Sequence, residues 1–158
     1  MRFCLLDRIT ELAPGVKIEA VKRLRADEEY LKDHFPRFPV MPGVLMLEAM
    51  YQAGAWLVRH SEGFAHSVVI LKEARNVKYA DFVAPGRELV VSAEILKQDE
   101  STTTLKAQGT IDGNVAVTAR LVLERFNVAD RHPERRGSDP YLVNELRQVF
   151  RRLLPAEA

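Results

Sequence analysis

Apolar residues recur along this chain in two rhythms. Over 44–58 they are nearly continuous: Val44, Leu45, Met46, Leu47, Ala49, Met50, Ala53, Ala55, Trp56, Leu57 and Val58 cover every side of a helix. A helix apolar all round is expected to be buried all round. It is interrupted by Glu48 and Gln52, which argue against a membrane span. It should begin at Pro42, whose missing N–H is not needed in a first turn, and end near Arg59, His60 and Gly63.

The second rhythm is alternation. Val16, Ile18 and Ala20 fall on one face of a segment spanning 16–25, opposite Lys17, Glu19 and Val21, which suits a half-buried strand. The runs 67–71, 89–96, 102–111 and 114–126 are rich in Val, Ile and Thr. Turn signals separate them at Pro85-Gly86, Asp99-Glu100 and Asp112-Gly113. In the last run Val115, Val117, Ala119, Leu121 and Leu123 face one way, and Thr118, Arg120 and Glu124 face the other. The pattern predicts long antiparallel strands with one buried face, wrapped around a central helix: an α+β fold. Residues 3–12 are mixed in character and close on a Pro14-Gly15 turn, and 26–33 are polar and suit a short helical turn.

The end of the chain changes character. Residues 129–140 are charged and carry two prolines and a glycine, which reads as a linker after a domain spanning 1–128. Asp139 and Pro140 look like the cap and first residue of a helical extension over 141–158. Leu142, Leu146, Val149, Phe150 and Leu153 form an apolar stripe at helical spacing, backed by Arg147, Arg151 and Arg152. Docking of this stripe on its own protein is the simplest expectation.

Composition narrows the function. The 158 residues suit one principal core. With 23 basic and 22 acidic residues the charge is nearly balanced, which gives no indication of a nucleic-acid partner. A lone Cys4 leaves no internal disulfide framework or cysteine-rich metal site, and is expected as a small buried hydrophobe in a reducing compartment. The start MRFCLLDRIT has too short an apolar run for a signal peptide or membrane span. The expectation is a cytoplasmic protein.

The candidate chemistry sits in HFPRFPVMPGVLMLEAMYQ, residues 34–52. Pro36, Pro39 and Pro42 stiffen the loop that carries His34. Glu48 follows five residues after Gly43, about 7.5 Å along the helix axis and so close to its start. A histidine and a carboxylate with no serine or cysteine nucleophile between them suit proton abstraction and delivery. The free N–H groups of Gly43 and Val44 at a positive helix end suit an oxygen gaining negative charge. Base, acid and oxyanion site together match removal of a proton beside a thioester carbonyl and expulsion of a hydroxyl one carbon further out, without metal or redox cofactor. Burial of Glu48 is expected to outweigh the helix dipole and favour its protonated, acid form.

The same string resembles the signature of the FabZ-type 3-hydroxyacyl-[acyl-carrier-protein] dehydratases, approximately HFPGxPxMPGVLxxEAxxQ. LLDRITELAPG near the start and VAPGREL at 83–89 also resemble family segments, so the likeness spans about 3–126. It implies a hotdog fold and dehydration of (3R)-hydroxyacyl thioesters to trans-2-enoyl thioesters in fatty acid biosynthesis. It further implies a homodimer, often assembled into a trimer of dimers, whose histidine and glutamate come from opposite subunits. By motif position His34 would be the base at C2, Glu48 the acid at the C3 hydroxyl, and the Gly43 N–H the carbonyl clamp. The acyl chain would arrive on the phosphopantetheine of acyl carrier protein, with a coenzyme A thioester as the alternative. Arg37 stands where the family has glycine, and Tyr51 and Trp56 are bulky where small residues are common. Arg37, Tyr51, Gln52, Lys78 and Tyr79 are the candidates for tunnel or carrier contacts, although Asp81 departs from the family's basic patch. A hotdog thioesterase, and a non-catalytic acyl-binding or partner subunit of a hetero-oligomeric dehydratase, are the competing readings.

Overall fold

The computed structural model describes residues 4–32 and 37–155. Six strands form one antiparallel sheet: β1 (Arg8–Ala13), β2 (Lys17–Arg23), β3 (Val68–Tyr79), β4 (Glu88–Gln98), β5 (Thr102–Ile111) and β6 (Asn114–Phe126). Their spatial order is β1-β2-β4-β5-β6-β3, so β1 and β3 are the edges. The helix α1 (Gly43–Ser61) packs on one face of this sheet and touches β2 through β6. Among the described residues no helix is long and apolar enough to cross a membrane.

Turn chemistry sets the hairpins. Asp112 and Gly113 carry positive φ angles of 51° and 81°, the mirror-image turn geometry that matches the twist of paired strands and joins β5 to β6. Small residues set the approach of helix to sheet. A Cβ on Gly54 of α1 would lie 2.9 Å from Leu105 Cδ1 of β5 and 3.8 Å from Ala93 of β4. The helix therefore lies directly on the inward residues of the central strands. Trp56 and Leu57 are fully buried there with Leu89, Val91, Leu105, Leu121 and Leu123.

The alternation in β6 holds for Val117, Ala119, Leu121 and Leu123, all buried. Val115 departs from it and is 46% exposed, because a register shift beside Gly109 and Thr110 inserts an extra residue in β6 and breaks the period. β3 is longer than its sequence suggested: after 71 its residues are largely polar, and pairing with β6 carries it through two register shifts to Tyr79. Cys4 is half-buried at the margin of the core.

All-round burial of α1 is realised only over 52–59. In its first turns Val44 is 69% exposed, and Leu47, Glu48 and Tyr51 are half-buried. These positions recur at helical spacing, so one face of the N-terminal half lies uncovered by its own sheet.

The region after β6 is folded. It contains α2 (Val128–Arg131), a short 3₁₀ turn (Pro133–Arg135) and α3 (Ser138–Leu153). The last helix begins before the expected cap, and Asp139 serves a different helix. Its carboxylate accepts hydrogen bonds from the N–H groups of Val128 and Ala129 at 2.8 and 3.2 Å, and from the Ser67 hydroxyl. The acidic group thus fastens the start of α2 to α3 and to the chain entering β3. The stripe on α3 docks on its own protein. Phe150 packs against Trp56, His60 and Phe64 at ring-centroid separations of 5.8, 5.1 and 5.6 Å, while Val149 and Leu153 are buried beside it. Arg147 donates to the Gly63 carbonyl at 2.8 Å, locking α3 to the C-terminal end of α1.

Candidate active site

Pro42 opens α1 with an extended backbone (φ −55°, ψ 138°), and its carbonyl accepts from the N–H of Leu45 and Met46. Among the described residues, the N–H groups of Gly43 and Val44 have no hydrogen-bond partner. They are two of the orphan donors that every helix start presents, and they lie at the positive end of the helix dipole. Access to them is shaped by Tyr79. A Cβ on Gly43 would meet the Tyr79 ring at 3.0 and 3.1 Å, so the phenol of β3 lies against the bare Cα of the first helical residue. The ring is half exposed, and loss of solvation raises its hydroxyl pKa above the ordinary value.

Glu48 is carried in the second turn, on the uncovered face of α1. Its Oε1 accepts from Gln52 Nε2 at 3.2 Å. Gln52 is itself buried, and its Oε1 accepts the Leu5 N–H at 2.9 Å. That backbone bond fixes which end of the amide points toward Glu48, and the carboxylate is left with Oε2 for another partner. The carboxyl is half-buried in the single chain, less than its apolar neighbours in sequence suggested.

The other sequence candidates separate. Tyr51 donates its hydroxyl to the Val69 carbonyl at 2.5 Å, and burial raises its pKa, with Glu48 adding to the rise and Arg59 opposing it. Arg37 is exposed in a turn before α1. Lys78 points away from α1, to the outer sheet face beside Lys106, Thr118 and Arg120. Trp56 is pure core. His34 lies outside the described residues. The structure thus groups Gly43, Val44, Glu48, Gln52 and Tyr79 at the start of α1 and puts Lys78 elsewhere. Exposed Phe38 and Phe82 share the loops that flank this helix start, and Phe82 drew no notice as a single aromatic outside any periodic run. Arg147 and Arg151 of α3 lie beside His60 and Gly63, at the other end of α1 from Glu48.

No group of three or more His, Cys, Asp or Glu among the described residues is arranged to hold a metal ion. The helix start offers donors to an oxyanion and a carboxyl group beside them, which is equipment for acid–base chemistry at a carbonyl compound.

An antiparallel sheet curled along one long helix is the hotdog architecture, and solved structures share it. The dehydratase heterocomplex ApeI:P from Xenorhabdus doucetiae contains a chain that superposes with a TM-score of 0.66 at 22% identity, covering 80% of this chain and 85% of that one. Residues 1–120 match the family described as FabA-like domain. The 3-hydroxyacyl-[acyl-carrier-protein] dehydratase FabZ of Ruminiclostridium cellulolyticum is 36% identical over 119 residues, 75% of this chain and 84% of the relative. FabZ of Clostridium botulinum is 38% identical over 120 residues, 76% of this chain and 83% of the relative. This chain belongs to the FabZ-type dehydratase family.

Proposed function

We propose that this protein removes water from (3R)-hydroxyacyl thioesters carried on acyl carrier protein, giving trans-2-enoyl thioesters in cytoplasmic fatty acid biosynthesis. The observation that carries the reading is the assembly at the start of α1: free N–H groups at Gly43 and Val44, with Glu48 one turn further on and oriented by Gln52. Family membership supplies the reaction class. In the proposed mechanism the thioester oxygen is held by those N–H groups, which stabilise the negative charge that develops as His34 takes the C2 proton. Glu48 gives its proton to the C3 hydroxyl, the C–O bond breaks, and water leaves as the C2–C3 double bond forms. The Gln52 amide engages one carboxyl oxygen and leaves Oε2 to face the substrate.

The working unit is proposed to be a homodimer, possible in turn as a building block of a trimer of dimers. Two features support this. The outer edge of β3 has no partner strand among the described residues, and the Val44, Leu47, Glu48 and Tyr51 face of α1 lies uncovered next to it. A second copy placed there would cover both, and the family resemblance implies that His34 and Glu48 then come from opposite subunits.

The test is to incubate purified protein with 3-hydroxyacyl and enoyl thioesters while following ultraviolet absorbance and free thiol. Reversible enoyl formation is expected, and both His34→Ala and Glu48→Gln should lose roughly 10²–10⁴-fold in turnover. Thiol release without enoyl product would instead establish a thioesterase.

A further inference from the structure

The C-terminal half of α1 holds a buried positive charge that the proposed mechanism does not use. Arg59 is 7% exposed and packs over the Trp56 ring at 4.8 Å. Its Nε is buried without a hydrogen-bond partner, its Nη2 reaches the Val69 carbonyl at 3.5 Å, and the guanidinium lies beside the Tyr51 hydroxyl, which donates to that same carbonyl. Among the described residues no carboxylate lies within ion-pair distance of it. Glu62, one turn on, gives its Oε2 to His66 at 3.0 Å and to Arg125 at 3.6 Å. A guanidinium cannot shed its proton to escape burial, so a buried arginine with only neutral partners is costly until an anion reaches it.

A cavity of about 310 Å³ opens beside this group. Tyr51 and Arg59 line it from α1, Val69 and Ile70 from β3, and Leu142 and Leu146 from α3. Apart from the arginine and the tyrosine its walls are mainly apolar. Glu145 also lines it, and its carboxylate is engaged by the Tyr141 hydroxyl, which donates to Oε1 at 2.8 Å. Arg59 follows Glu48 by eleven residues, three helical turns, so the two lie on the same face about 16 Å apart along the axis. Tyr51 lies between them, both a lining residue of the cavity and close enough to Glu48 for that carboxylate to influence its hydroxyl. An extended alkyl chain has C–C bonds of about 1.5 Å but advances about 1.25 Å per carbon, so with an ion-pair contact of about 3 Å it needs about eleven carbons beyond C3 to reach the guanidinium.

We propose that this cavity receives the far end of the acyl chain, and that Arg59 makes the protein select chains of about fourteen carbons that end in a carboxylate. The inference rests on the dehydratase reading and deepens it by naming a substrate class, the α,ω-dicarboxylic acyl thioester. Apolar walls hold the methylenes, and the buried cation pairs with the terminal anion in a desolvated charge-assisted contact. A chain ending in methyl leaves that charge unpaired, which is the source of discrimination. The last helix has a role in this arrangement, because Leu142 and Leu146 form the wall that the domain over 1–128 would lack.

The test compares two (3R)-3-hydroxytetradecanoyl thioesters on the same carrier protein, one with a terminal methyl and one with a terminal carboxylate. The wild type should favour the carboxylate by tenfold or more in kcat/KM. Arg59→Met should abolish that ratio while still dehydrating the methyl-ended chain, and Arg59→Lys should keep part of it. Wild-type preference for the methyl-ended chain, or an unchanged ratio in Arg59→Met, would overturn the inference. The ratio is internal to each protein sample, so partial misfolding does not imitate the result, and if Arg59→Met does not fold the wild-type ratio decides alone. Dehydration of neither substrate would count against the dehydratase reading instead. The cavity is then judged by thermal stabilisation with tetradecanoyl-pantetheine, with and without a terminal carboxylate: greater stabilisation by the carboxylate form supports the inference, and equal stabilisation overturns it.

Discussion

Gln52 Nε2 lies 3.2 Å from Glu48 Oε1, one helical turn away, while the other end of the same amide is held by the Leu5 N–H. The proposed acid is therefore oriented by the chain's N-terminal segment, which reaches it through a single side chain. Gln52→Leu keeps the size but releases both contacts. It should lower kcat by on the order of 10²-fold through misplacement of Glu48, and cost about 1–3 kcal/mol because the Leu5 N–H is left buried and unpaired. Steady-state kinetics with a denaturant titration of the same sample separates the two effects; unchanged kcat would remove the positioning role.

Tyr79 and Gly43 are in contact where the oxyanion donors emerge. Gly43→Ala places a methyl about 3 Å from the phenol ring, tighter than ordinary contact, so ring and helix start must part. Turnover should fall, and adding Tyr79→Ala should restore part of it. A double-mutant cycle measures this coupling. Strict additivity of the two losses would mean that the contact does not shape the site.

Phe150 supplies the aromatic contacts by which α3 docks on α1. Phe150→Ala removes the contacts with Trp56, His60 and Phe64 and should cost about 3–5 kcal/mol, read as a lower denaturant midpoint. A change below 1 kcal/mol would show that the helix is held by other means.

Acid should loosen the tip of the β4 to β5 hairpin. Asp99 accepts hydrogen bonds from the Thr102 hydroxyl, the Thr102 N–H and the Ser101 N–H, which lower its pKa from the ordinary 3.8 to about 2. Its folded value lies below the unfolded one, so its contribution is present above pH 3.8 and is lost as pH falls toward 2. Asp139, held low first by the Ser67 hydroxyl and then by the α2 N–H groups, works in the same direction. In thermal melts across that window, Asp99→Asn should show a shallower decline than wild type. Parallel curves would contradict the assignment.

Much of this arrangement was legible in the chain because its physical causes are local. Continuous apolar residues marked α1, alternation marked β2 and β6, runs rich in Val, Ile and Thr marked β4, β5 and the start of β3, and Asp112-Gly113 marked a turn. The grouping of Glu48 with the helix-start donors followed from helical spacing alone. What the pattern missed depends on contacts distant in sequence. Asp139 reads as a cap for the helix that follows it, yet its carboxylate goes back to Val128 and Ala129. Arg59 reads as a basic residue near a helix end, and only the packing of β3 and α3 buries it beside a cavity. Lys78 and Tyr79 are neighbours in sequence, but the pleat sends one to the outer face and the other to Gly43.

The uncovered face of α1 and the free edge of β3 carry the central claim, that the site is completed by a second copy. Co-expressing His34→Ala and Glu48→Gln chains and measuring enoyl thioester formation tests it directly. If base and acid come from opposite subunits, each mixed dimer holds one intact site and one doubly defective site, and a random mixture recovers about one quarter of wild-type activity. Activity no higher than that of the separate variants, with mixed dimers verified, would contradict a shared site.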